Sequence, residues 1–193
     1  MCPCPRLDNR LFLSLGIIVL TLCSLSAFSI MEYANNLQLA VIGNQDVPSF
    51  YNVIMGINKI YAIFVPIIIC LFIYSTTYLM LSEVFEEEIR SKELFTIVCI
   101  AMIPVLMYDY FYWFNLIYYV HIDDMHSIND FFNVTYWNGL KLSDFHILNT
   151  VCWLLLFTIV IIFLIWKGHS IIKSLLSVLI PPAIVIIIYL IIH

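Results

Sequence analysis

Long apolar runs separated by short polar ones dominate the chain, and five of them are long enough to cross a bilayer as helix. A spanning helix takes about 20 mainly apolar residues, because hydrocarbon offers no partner to an unpaired backbone N–H or C=O. The runs cover about residues 11–31, 59–81, 94–118, 145–166 and 171–192. Arg6 and Arg10 precede the first. It exceeds the apolar core of a secretory leader and no small-x-small cleavage site follows, so it reads as an anchor. Polar residues from Glu32 to about Asn58, including the turn-like "IGNQDVPS", predict a connector. Pro66 falls near the start of the second run and Pro104 interrupts the third. Pro181 and Pro182 lie inside the fifth; each lacks an amide proton and crowds the preceding turn, which predicts a kink or local unwinding. The linker "KGHS" is so short that the fourth and fifth spans should be antiparallel neighbours.

Past Met107 the third run turns aromatic: "YDYFYWFNLIYY" holds eight aromatic residues among twelve, a density suited to a headgroup interface. Composition agrees with the pattern. At 63% hydrophobic and 11% charged residues, the chain has too little polar surface to cover a water-soluble globule. The expected fold class is all-α: one polytopic membrane domain over residues 1–193, a bundle of five transmembrane helices. Net charge is −5 and the bases form no cationic stripe, which argues against nucleic acid as a partner. Of the six cysteines, Cys2 and Cys4 are terminal and Cys23, Cys70, Cys99 and Cys152 sit in apolar runs, so no disulfide framework is implied. Basic residues set the orientation. With the N-terminus inside, Arg6, Arg10, Arg90, Lys92, Lys167 and Lys173 are cytoplasmic and only Lys59 and Lys141 are outside, which predicts N-in, C-out.

This orientation puts the most charged stretch, "LSEVFEEEIRSKELF" from Leu81 to Phe95, in the cytosol. Two adjacent Glu followed by Arg invite comparison with intramembrane proteases of the Glu-Glu-x-x-x-Arg type. The spacing does not fit: Arg90 stands four residues after Glu86 and three after Glu87. Each residue turns a helix by about 100 degrees, so the guanidinium is displaced from the place that motif gives it. Glu86 with Arg90, and Glu88 with Lys92, instead form acid-before-base pairs at i, i+4, the favourable order on a solvated helix. The stretch reads as a helical connector, and Glu86, Glu87, Glu88, Arg90 and Lys92 as its candidate partner-docking face.

Two other places could carry chemistry. "HIDDMH" brings His121, Asp123, Asp124 and His126 close together in the polar loop, and imidazole with carboxylate suits zinc or manganese, though no established spacing is matched. A solvated acidic loop is the plainer reading. Asp109 is the one carboxylate inside an expected span, and an intramembrane acid raises the prospect of a proton or ion relay. An interfacial position at the end of the apolar run is the alternative. Asn133 opens an "NVT" glycosylation sequon. No phosphate-binding loop, Ser-His-Asp arrangement or HExxH motif is present, and no cofactor is expected.

The segment "SKELFTIVCIAMIPVLM" after the charged connector, and the closing "IWKGHSIIKSLLSVLIPPAIVII", resemble the Yip family, the Ypt/Rab-interacting membrane proteins. The likeness covers about residues 57–192. The family's Asp-Leu-Tyr-Gly-Pro motif and long cytosolic N-terminal region are absent, so the resemblance is to the compact bacterial type. It implies five spans and a non-enzymatic accessory or partner-binding role beside other membrane proteins such as ABC transporter subunits, with a homo-oligomer also compatible. The residues leave two alternatives: a small transporter or channel component using Asp109, and a membrane enzyme that is protease-like or metal-dependent.

Overall fold

A computed structural model describes residues 9–42, 49–121 and 133–192. Six α-helices occur among them and no strand: α1 (Asn9–Ile42), α2 (Ser49–Leu79), α3 (Ser91–Ala101), α4 (Ile103–Tyr119), α5 (Leu142–Trp166) and α6 (Ile171–Ile192). α3 and α4 make one apolar span, Ser91–Tyr119, and with Arg10–Leu39, Phe50–Val84 and Leu142–Trp166 they give four segments long and apolar enough to cross a membrane. α6 occupies the range expected of the fifth span, and its described apolar stretch is Ile171–Ile184. Large apolar side chains face outward along these helices: Ile17, Ile18, Phe64, Ile68, Leu154 and Ile162 are each more than half exposed. Water would not tolerate so much contiguous apolar surface, whereas lipid covers it. The protein is an all-α polytopic membrane protein.

Two helices run well past their apolar cores. α1 has 34 residues, about 51 Å at 1.5 Å per residue, against a hydrocarbon layer of about 30 Å. The expected connector between Glu32 and Asn58 is therefore helical through Ile42 and again from Ser49. Hydropathy ends where lipid ends; the helix continues because polar residues also satisfy it. Lys59 Nζ donates to Glu32 Oε1 at 2.9 Å, and the buried Asn35 gives its amide to the Met55 carbonyl at 3.3 Å.

The prolines behave differently from one another. Pro66 lies in the middle of α2, not near its start, because the helix begins at Ser49. Pro104 has no N–H for the Ile100 carbonyl, and the chain breaks there between α3 and α4 at Met102, whose N–H bonds the Cys99 carbonyl at 3.2 Å. Pro181 and Pro182 produce no unwinding: α6 is helical through both. Adjacent prolines free the consecutive carbonyls of Ser177 and Val178, and the surrounding turns still close.

The chain contains two compact units, Met1–Thr21 with Ile68–Ile103 and Leu154–His193, and Leu22–Ile67 with Pro104–Trp153. In the first, Leu81, Leu94, Val98, Leu156, Val160 and Leu164 are fully buried, the last three one helical turn apart on α5. Gly16 permits close approach: a Cβ there would stand 3.0 Å from Cys99 Cβ and 3.4 Å from the Thr96 carbonyl oxygen. In the second, Leu37, Leu116, Val120, Tyr136 and Phe145 form the core. The aromatic run of α4 is split between two faces. Phe111 and Tyr112 pack on Phe145, while Tyr110, Phe114 and Tyr118 stay exposed, so only part of that aromatic density is available to an interface.

Candidate functional site

The charged connector is not a helix. After α2 the chain makes a π turn, Met80–Val84, closed by the Phe85 N–H on the Met80 carbonyl at 3.1 Å. Glu86 then adopts φ +53°, a left-handed conformation rare for a non-glycine residue, and no regular structure follows until α3 begins at Ser91. The i, i+4 pairs expected of Glu86 with Arg90 and Glu88 with Lys92 are therefore absent. Instead the segment alternates: Glu86, Glu88 and Arg90 are exposed, and Glu87 and Ile89 turn inward.

Glu87 turns inward because its partners lie some 80 residues further on. Lys173 Nζ donates to Glu87 Oε1 at 2.7 Å, and His169 Nδ1 hydrogen-bonds Glu87 Oε2. Lys173 also reaches the Phe85 carbonyl at 3.5 Å. Glu93, in the first turn of α3, binds Lys167 at 2.5 Å and, more loosely, the exposed Arg90 at 3.4 Å. An acid at that position also complements the positive end of the helix dipole. Two carboxylates thus tie the connector to the turn between α5 and α6.

That turn is built by its own sequence. Gly168 takes φ +99°, its N–H bonds the Ile165 carbonyl at 3.0 Å, and the His169 N–H bonds Leu164 at 3.1 Å. This is the Schellman closure, in which a glycine supplies the left-handed residue that ends a helix. It delivers His169 at the residue following the reversal. Ser170 then caps α6, its Oγ accepting from the Lys173 N–H at 3.3 Å. Lys173 sits in the first turn, aimed back at Glu87. Lys167 lies over the rings of Phe163 and Trp166, at 5.5 and 5.7 Å from their centroids.

Tyr78, Ser82 and residues 86–90 line an open depression of about 620 Å³ beside the connector. Its rim carries acid at Glu86 and Glu88 and base at Arg90. The Lys173 ammonium, followed by the His169 imidazole, holds the Glu87 carboxyl below its ordinary titration range. A depressed carboxylate contributes stability that is complete above its unfolded-state pKa and lost as pH falls through the lower folded-state value.

The other sequence candidates are dispersed. Asp109 lies half-buried on α4, and its Oδ2 accepts from Ser26 Oγ of α1 at 3.1 Å. Ser26 is itself buried, and its single hydroxyl proton is shared between Asp109 and the Cys23 carbonyl, 2.9 Å away. Among the described residues no Lys, Arg or His pairs with Asp109. His121 is exposed just beyond α4, whereas Asp123, Asp124 and His126 lie outside the described residues. Among the described residues no three His, Cys, Asp or Glu side chains come together as a metal site. Lys92 is exposed and Asn133 likewise. Sequence reasoning did not single out His169, Lys167 or Ser26. Gly168 followed by Ser170 is a readable stop-and-start signal that would have drawn attention to the turn. Ser26 had no such mark among the serines of α1.

Comparison with family models, with curated proteins and with solved structures finds no match to this chain. The class of protein, an all-α polytopic membrane protein, rests on the helices themselves.

The ion-pair geometry separates the three consecutive glutamates, Glu86, Glu87 and Glu88. Replacement Glu87→Gln should lower the unfolding free energy in detergent by about 1 kcal/mol at neutral pH, whereas Glu86→Gln and Glu88→Gln should stay within about 0.5 kcal/mol of the parent. The Glu87→Gln deficit should shrink as pH is lowered through the Glu87 titration. Thermal unfolding followed by circular dichroism over a pH series measures both effects.

Proposed function

We propose that this protein works without catalysis, as an accessory or partner-binding subunit of a membrane complex, and that the connector between α2 and α3 is its docking face. The observation that carries the reading is the alternation at residues 86–90. Glu87 and Ile89 are turned inward and Glu87 is fastened by Lys173 and His169, so Glu86, Glu88 and Arg90 are presented on a held strip. A strip anchored in the free protein loses little conformational entropy on binding. Its charges are ordered, acid first and base after, which suits a partner loop with the opposite order. The distribution of Lys and Arg supports a cytoplasmic connector with N-in, C-out topology, and the resemblance to bacterial Yip-type proteins supports a plasma membrane. The resemblance to compact bacterial Yip-type proteins supports the accessory role, with ABC transporter subunits as partners of the right kind.

A second reading draws on one observation, the Ser26–Asp109 hydrogen bond inside the spans. A carboxyl group held among membrane helices suits a proton or ion relay in a small transporter. The two readings separate experimentally. In the first, Glu86→Lys with Glu88→Lys abolishes stoichiometric co-purification of a membrane partner from gentle detergent while membrane yield is unchanged; retained co-purification would count against this face. In the second, Asp109→Asn abolishes a proton-dependent ion flux in liposomes reconstituted with the folded protein. A flux that survives the substitution would remove Asp109 from any such path.

A further inference from the structure

Cys70 of α2 and Cys99 of α3 have no exposed surface, and their sulfur atoms stand 3.5 Å apart. The contact belongs to a register. One turn along α2, Tyr74 meets Phe95 edge-on at 5.5 Å, one turn back along α3, and the Tyr74 hydroxyl bonds Ser91 Oγ at 2.6 Å, a further turn back. Steps of four residues forward on one helix and backward on the other are those of antiparallel neighbours. The thiols therefore meet because the two helices are in step, and Gly16 closes over Cys99 from α1.

We propose that Cys70 and Cys99 are an oxidisable dithiol that closes to a disulfide within the membrane-spanning part of the protein. A disulfide needs the sulfurs about 2.05 Å apart, so each side chain moves by less than about 1 Å from the observed contact. The two S–H bonds break and one S–S bond forms. The two electrons and two protons pass to a lipid-soluble acceptor of the quinone class, which becomes the quinol. Both thiols lie within the apolar segments Phe50–Val84 and Ser91–Tyr119, so the acceptor must partition into lipid, and it reaches sulfurs without exposed surface when the two helices part locally. Among the described residues no third His, Cys, Asp or Glu joins the pair, so a metal site of three donors is not formed there. The bond would close a loop that contains the whole connector, covalently fixing the two helices from which it hangs.

The test uses the full chain in nanodiscs of phosphatidylethanolamine and phosphatidylglycerol, incubated with decyl-ubiquinone. The sample is denatured in N-ethylmaleimide, digested, and mapped by mass spectrometry. The expected result is loss of maleimide from both Cys70 and Cys99, and a linked peptide pair two hydrogens lighter than its parts that separates with dithiothreitol. Cys23 and Cys152 should carry maleimide in the same sample, and Cys70 should regain it in Cys99→Ser. Full maleimide on Cys70 and Cys99 after quinone, or linkage of Cys70 to Cys23 or Cys152 instead, would overturn the proposal. Because the parent chain is read directly, the outcome does not depend on how a variant folds.

Discussion

A backbone in hydrocarbon must satisfy its own hydrogen bonds, and nearly every feature of this protein follows from that requirement. It makes the apolar runs helical and keeps them helical across Pro66 and across the Pro181–Pro182 pair. It also sets where irregular backbone is tolerated. The irregular segment 86–90 and the turn at Lys167–Ser170 fall between spans, where water can bond what the chain leaves open. Once outside the apolar runs, charge takes over from helix as the ordering device. Glu87 and Glu93 collect Lys173, His169 and Lys167, and a connector with no regular structure acquires a defined path.

The cooperation is between local and distant signals. Gly168 ends α5, Ser170 starts α6, and between them they aim His169 and Lys173 at a carboxylate in another loop. Meanwhile the π turn at Met80–Val84 and the left-handed Glu86 turn the connector so that its odd positions face in and its even positions face out from 86 to 90. Pairs at this degree of exposure are individually weak. Two carboxylates sharing three partners from one turn are worth more in geometry than in energy, because they decide which side chains stay exposed.

Much of the fold was legible because lipid imposes a simple pattern. The range of the fifth helix matches its apolar run at both ends, and the break near Pro104 and the tight α5–α6 turn were all visible in the sequence. Helix ends were not. Glu32 and Asn35 look like a loop to any hydropathy measure, yet they hold α1 to α2 through Lys59 and Met55. The connector was misread for a different reason. "EEEIRSK" has the spacing of a stable solvated helix, but those pairs are worth only a few tenths of a kcal/mol each. Glu87 finds two partners 82 and 86 residues away (169 − 87 and 173 − 87), and no local pattern can announce them. The same holds at Asp109, whose place in an expected span was legible and whose Ser26 partner was not.

The most direct test of this account is a double-mutant cycle on Glu87 and Lys173, with Glu87→Gln, Lys173→Met and the pair compared by unfolding in one detergent at neutral pH. The single losses should not add, with a coupling energy of about 0.5–1 kcal/mol that fades as Glu87 becomes protonated. Losses that add within about 0.3 kcal/mol would contradict it, because the connector would then hold its path without the ion pairs said to place it.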